Sequence, residues 1–145
     1  MNVFDNDTRQ KHTYMLTSYV ERVMLQTSNG NRSVAGWNVF VIHSILVVLV
    51  YYLLLWTNSK KGFLIGLIVW ISFVLQHLYF DGCWGVKSER RIWRVKDWYG
   101  PWTTLFNFLH NQGMPATKSY HNVFFILFTI MLGVFAVERY ISFYR

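Results

Sequence analysis

The chain has very little of what a soluble domain uses. Only 14% of its 145 residues are charged, against about a quarter in soluble domains. The shortage falls in three apolar blocks, which is the pattern of a membrane protein; a chain this short could not surround three helices that are apolar on every side. There is a single cysteine, Cys83, so an internal disulfide is excluded and the redox compartment is left open. The two prolines, Pro101 and Pro115, both lie outside the apolar blocks and interrupt none of them. Residues 1–33 hold no apolar run, which argues against a cleavable signal peptide, and Asp5, Asp7 and Glu21 argue against a mitochondrial presequence.

Two long apolar arms run from Val34 to Phe80, broken only by Asn58-Ser59-Lys60-Lys61-Gly62. The spacing predicts spanning helices over about 34–57 and 62–80, joined by a tight hairpin, and a third over about 120–140. Trp37 and Trp56 bracket the first, roughly 28 Å apart at helical rise, near the thickness of a bilayer core. Tyr120 and Tyr140 bracket the third. The second opens with Gly62-x-x-x-Gly66, a pattern that lets helix backbones approach closely; with Asn38 and Gln76 these glycines are the candidate helix-packing residues.

The expected architecture is an all-α membrane protein of three spans. Its N-terminal segment (1–33) carries an amphipathic helix over about 8–28, bounded by Asp5-Asn6-Asp7-Thr8 and Asn29-Gly30. Met15, Tyr19 and Val23, flanked by Leu16 and Val20, form its apolar side, with Lys11, Ser18, Glu21 and Arg22 elsewhere. The three-span domain is 34–145 and includes a long connector at 81–119. There Lys87, Arg90, Arg91, Arg94 and Asp97 recur on one side and Ile92, Val95 and Tyr99 on the other, with Trp93 and Trp98 beside them. This predicts an interfacial basic helix ended by Gly100-Pro101. Lys87, Arg90, Arg91, Arg94, Trp93 and Trp98 are its candidate membrane-surface or partner-binding residues, with anionic headgroups or an acidic protein surface favoured over nucleic acid. Trp102–Leu109 is apolar but too short to span, and Gly113, Pro115 and Thr117 mark a further turn.

Net charge is +7, and the basic residues divide unevenly across three spans. About ten fall on the side of the N-terminus and connector: Arg9, Lys11, Arg22, Arg32, Lys87, Arg90, Arg91, Arg94, Lys96 and Lys118. About four fall opposite: Lys60, Lys61, Arg139 and Arg145. The positive-inside rule puts the first group in the cytoplasm, which leaves the sequons at Asn6 and Asn31 unglycosylated.

Polar residues inside spans are costly and often functional. Asn38, His43, Ser72, Gln76, His77, Asn122 and Thr129 are such residues here, and Asp81, Cys83 and His121 lie just beyond the ends of spans. Interhelical hydrogen bonding is the plain reading of this set. The sharper one is a site: His77 and Asp81 are four residues apart, Cys83 follows, and Glu89, His110 and His121 are in reach of the same rim. His, Asp and Cys suit a transition metal, but no paired ligand motif accompanies them. Cys83 beside His77 is a candidate nucleophile, and His43 a candidate step in a proton path. The span centres are nearly uniform Val, Leu, Ile and Phe, which speaks against an independent pore, and no phosphate loop or nucleophile elbow is present. No cofactor is implied, and no enzyme class.

The stretch His77-Leu78-Tyr79-Phe80-Asp81-Gly82-Cys83, followed by Glu89 and a basic segment, resembles small multi-pass membrane proteins of large icosahedral DNA viruses, some of which sit in the membrane beneath the capsid. The resemblance implies a structural protein linking bilayer to shell. Accessory subunits of organellar respiratory complexes have a similar general look. The expected role is structural or assembly work within a larger complex, with the bilayer and other protein subunits as partners.

Overall fold

The computed structural model describes residues 5–115 and 118–145, with nothing on the side chains of residues 118–120, so the turn mark at Thr117 and the side chains of Lys118 and Tyr120 lie outside the described residues. The described residues are helical, in six α-helices without strands: α1 (Asn6–Thr27), α2 (Arg32–Leu55), α3 (Lys60–Tyr79), α4 (Trp84–Trp93), α5 (Thr103–Asn111) and α6 (Lys118–Tyr144). A single 3-10 turn, Gly100–Trp102, precedes α5. Three helices are long and apolar enough to cross a membrane: α2, α3 and the stretch His121–Tyr144 of α6. The helices fall into two compact units.

The first unit comprises residues 5–45 and 75–104. Helix α1 ends where Asn29 and Gly30 adopt positive φ (48° and 77°) and the Gly30 N–H closes back on the Leu25 carbonyl at 2.8 Å. No atom would crowd a Cβ on Gly30, so glycine serves the backbone angle there, not the space. Asn31 then restarts the chain: its side-chain oxygen accepts the Val34 N–H at 3.2 Å, capping α2. The buried core is Ala35 and Val39 of α2 with Ile92 of α4, and Val20, Met24 and Leu25 of α1 pack against it.

The face of α1 that packs within this unit passes through buried Thr17 and the packed Val20 and Met24, while Met15 and Tyr19 of its apolar side are 57% and 66% exposed. The reason is electrostatic: Glu21 turns inward to meet Arg32 at 2.8 Å and Arg91 at 2.6 Å, and that pairing sets the rotation of the helix. The basic helix also stops early. It ends at Arg94, which takes a left-handed conformation (φ 58°) while its N–H bonds to the Arg90 carbonyl, so Val95, Asp97 and Tyr99 are not helical. The chain folds back because Trp98 is tied to α4 twice: its carbonyl accepts from Arg90 Nε and its indole donates to Glu89, both at 2.5 Å.

The second unit comprises residues 46–74 and the described residues of 105–145. Its buried core is Val50 and Leu54 of α2, Phe63 of α3 and Ala136 of α6. The connection between α2 and α3 has the expected length but sits two residues earlier, at 56–59, since α2 ends at Leu55 and α3 begins at Lys60; Ser59 caps α3 through a 3.2 Å bond from the Gly62 N–H. Arg139 of α6 donates to the Leu55 and Thr57 carbonyls, which α2 leaves without helical partners at its end. The short apolar segment at 102–109 forms most of α5 and seats Phe106 against His121 and Phe124 of α6.

Gly66 is buried, and a Cβ placed there would lie 2.7 Å from the Leu53 Cβ and 3.2 Å from the Leu53 carbonyl carbon. The three atoms nearest to a Cβ on Gly62 are side-chain atoms, at 3.0–3.6 Å. Gly66→Ala is expected to destabilise the purified protein by about 1–3 kcal/mol through overpacking. Gly62→Ala should cost clearly less. Thermal unfolding of the two variants in one detergent checks the order, and equal melting temperatures would show that the α2–α3 approach at Gly66 is looser than described.

Candidate functional site

The site grows from two stripes. On α2, Ala35, Val39 and His43 recur every four residues and face inward, the first two buried and His43 half-buried. On α4, Gly85, Ser88, Glu89 and Ile92 are the buried residues, at the spacing of one helix face. Small residues bring the stripes together. A Cβ on Gly85 would lie 3.0–3.2 Å from the His43 ring, and one on Gly36 would collide with the Trp93 indole. Helix α2 thus meets α4 at van der Waals distance, with the imidazole filling the gap that Gly85 leaves.

Glu89 is completely buried. A buried carboxylate is tolerated only when its oxygens are bonded. One oxygen lies 2.7 Å from His43 Nδ1, and the other accepts from the Trp98 indole at 2.5 Å. Gly100 (φ 60°) closes over the pair; a Cβ there would stand 3.4 Å from both the carboxylate and the imidazole. An aromatic group of Trp37, Phe40, Trp93 and Trp98, with ring centroids 4.8–6.5 Å apart, adjoins it.

The far nitrogen of His43, Nε2, lies 3.4 Å from Cys83 Sγ. Cys83 is the residue before α4, reached through a reversal in which Asp81 and Gly82 have positive φ (53° and 122°). As a residue it is partly exposed. Burial pushes the thiol up, but the hydrogen bond with His43 and the backbone N–H groups of Val86 and Gly85 outweigh it and bring the thiol below its ordinary range. Thiol, imidazole and carboxylate therefore stand in sequence, the carboxylate on one ring nitrogen and the sulfur on the other. That arrangement fixes the ring and aims a nitrogen at the sulfur's proton, the geometry of an activated nucleophile.

The residues singled out from sequence distribute as follows. Cys83 meets His43, not His77; α3 ends at Tyr79, before Asp81, which is exposed in the turn. Among the described residues no group of three or more His, Cys, Asp or Glu could hold a metal. Lys87 donates to the Phe80 carbonyl at 2.5 Å, Arg90 to Trp98, and Arg91 to Glu21, while Arg94 is exposed. Trp93 and Trp98 belong to the aromatic group beside Glu89. Asn38 is exposed and donates to Ser28 at 3.4 Å, and the buried Gln76 carbonyl oxygen has no hydrogen-bond partner among the described residues. His110 and His121 lie 3.1 Å apart in the second unit.

The sequence places Cys83 and Glu89 at one rim and leaves His43 apart from both, as a step in a proton path. The available signal was the Gly85, Ser88, Glu89, Ile92 spacing, which marks the Glu89 side of α4 as its buried face. The ion pairs that support this unit carry a pH signature. Burial raises the Glu21 carboxyl, but hydrogen bonds from Arg91 and Arg32 outweigh it and hold the group below its ordinary value of 4.5. A lowered folded-state value stabilises the fold above the unfolded value, and that contribution is lost as pH falls through the folded one. The stability margin of the native chain over Glu21→Gln should be full above about pH 5 and shrink steadily below it; urea unfolding across that range checks this, and a margin independent of pH would rule it out. Compared with family models, curated proteins and solved structures, the chain matches none.

Proposed function

We propose that the chain is an integral membrane protein with a structural or assembly role, anchored by α2, α3 and α6 and presenting α1 and α4 to the water-facing side. The observation that carries this reading is the outward surface of its long helices. Only 17%, 11% and 11% of the residues in their apolar windows are buried. Three helices cannot bury such a surface among themselves, so lipid or neighbouring subunits must cover it. The basic excess on the side of the N-terminus and connector supports a cytoplasmic position for both. The basic, Trp-rich α4 segment suits anionic headgroups, with exposed Arg94 and Lys96 as its outermost cations. α1 then lies at the interface as the amphipathic partner of α4. The resemblance around His77–Cys83 supports placing it in a viral membrane beneath a capsid; an organellar membrane complex is the corresponding cellular setting.

The test is extraction and native sizing of the full chain expressed in microsomes. It should resist alkaline carbonate, migrate after mild detergent extraction well above its own 17.3 kDa plus micelle, and carry no glycan at Asn6 or Asn31. Release by carbonate would overturn the membrane reading, a glycan at either sequon would reverse the orientation, and a monodisperse single copy would remove the assembly role.

A further inference from the structure

We propose that Cys83 is a nucleophilic thiol that takes a fatty acyl group from a long-chain acyl thioester, with His43 carrying the proton and Glu89 acting as the positioning residue. This goes beyond the anchor role, and it stands on the geometry of the first unit alone.

Three observations carry it. The Cys83 sulfur, the His43 ring and the Glu89 carboxylate are consecutive at 3.4 and 2.7 Å, with one ring nitrogen for each neighbour. Glu89 is sealed from solvent while Cys83 as a residue keeps some exposure, so the thiol is at the outer end of the series. A purely structural clamp between α2 and α4 needs the His43–Glu89 pair but has no use for a thiol at the outer nitrogen. The titratable group that meets the sulfur is His43 from α2, itself paired with Glu89 of α4, and the Lys87 stem lies 3.6 Å from a Cβ built on the neighbouring Gly82.

The substrate class follows from what flanks the site. Within this unit, Ile42 next to His43 and Leu75 and Leu78 on the last turns of α3 before Cys83 are 49–61% exposed, an apolar surface suited to an acyl chain. Exposed Arg94 and Lys96 lie past the far end of α4, about 15 Å of helix from Cys83, a length over which an extended coenzyme-type head can bring its anionic phosphates to them. The chemistry balances without an oxidant. The thiol proton passes to His43 Nε2 as the sulfur attacks the acyl carbonyl carbon. The Gly85 and Val86 N–H groups, which already approach the sulfur, are the donors we assign to the developing oxyanion. The carbon–sulfur bond to the donor then breaks, and the leaving thiolate takes the proton back from His43. One thioester replaces another, and a free thiol departs.

The experiment uses the full chain in vesicles of phosphatidylcholine and phosphatidylglycerol, with alkyne-tagged palmitoyl-coenzyme A as donor. Wild type should acquire one hydroxylamine-sensitive label, absent in Cys83→Ser. His43→Gln should slow labelling at least tenfold. Glu89→Gln should slow it and move its pH profile, which loss of packing alone would not do. Because these variants remove a buried pair, the wild-type chain also serves as its own control: native Cys83 should react with iodoacetamide at least tenfold faster than the same chain denatured, at a pH near 6.5. Labelling of His43→Gln at the wild-type rate, or native reactivity no greater than denatured, would overturn the proposal. Acetyl-coenzyme A labelling as fast as the palmitoyl donor would overturn the fatty-chain assignment.

Discussion

The first unit depends on how one carboxylate is kept out of water. Glu89 sits on the inner face of α4 and has no solvent, so its two oxygens must be met from within the protein. His43 meets one from α2, and Trp98 meets the other from the segment after α4. Breaking such a buried pair by removing one partner costs about 3–5 kcal/mol, which is of the order of a small domain's whole stability. The neighbouring features answer to that demand. Gly85 and Gly36 have no side chains because α2 and α4 must touch. The chain reverses after Arg94 so that Trp98 can return to its own helix. Gly100 covers the pair with a backbone and nothing more.

A second constraint acts on the cations. Each helix leaves carbonyls unpaired at its C-terminal end, and near a membrane these are costly. Arg9 answers for α3, donating to the carbonyls of Tyr79 at 2.5 Å and Leu78 at 2.6 Å. Lys87 does the same for Phe80 just beyond, Arg32 for Ile92 of α4 at 3.1 Å, and Arg139 for the end of α2. Side-chain cations in the last turn also suit the negative end of the helix dipole. Much of the basic charge that reads in sequence as a membrane-facing surface is thus committed inside the fold, and Arg94 and Lys96 are the exposed remainder of the α4 segment.

What was legible in the sequence was local. Three apolar runs, a polar break and the Asn29-Gly30-Asn31 stop and restart are properties of consecutive residues, and the helices lie within a few residues of where those signals put them. What was not legible depends on partners far along the chain. His43 and Glu89 are 46 residues apart, and neither neighbourhood announces the other. The rotation of α1 is decided by Glu21 finding Arg32 and Arg91, whereas its apolar residues taken alone favour the Met15 and Tyr19 side. The early stop of α4 rests on a left-handed arginine, a conformation that composition points to only when glycine or asparagine occupies the place.

The tie from Arg139 to Leu55 and Thr57 has a consequence for how the protein is made. The carbonyls that end α2 are synthesised early, and the side chain that satisfies them arrives more than 80 residues later in the chain. Until α6 is in place, the exit of the first spanning-length helix carries polar groups with no protein partner. The end of α2 is therefore completed only once α6 has been made, so the first and last spanning-length helices of the chain close the second unit together.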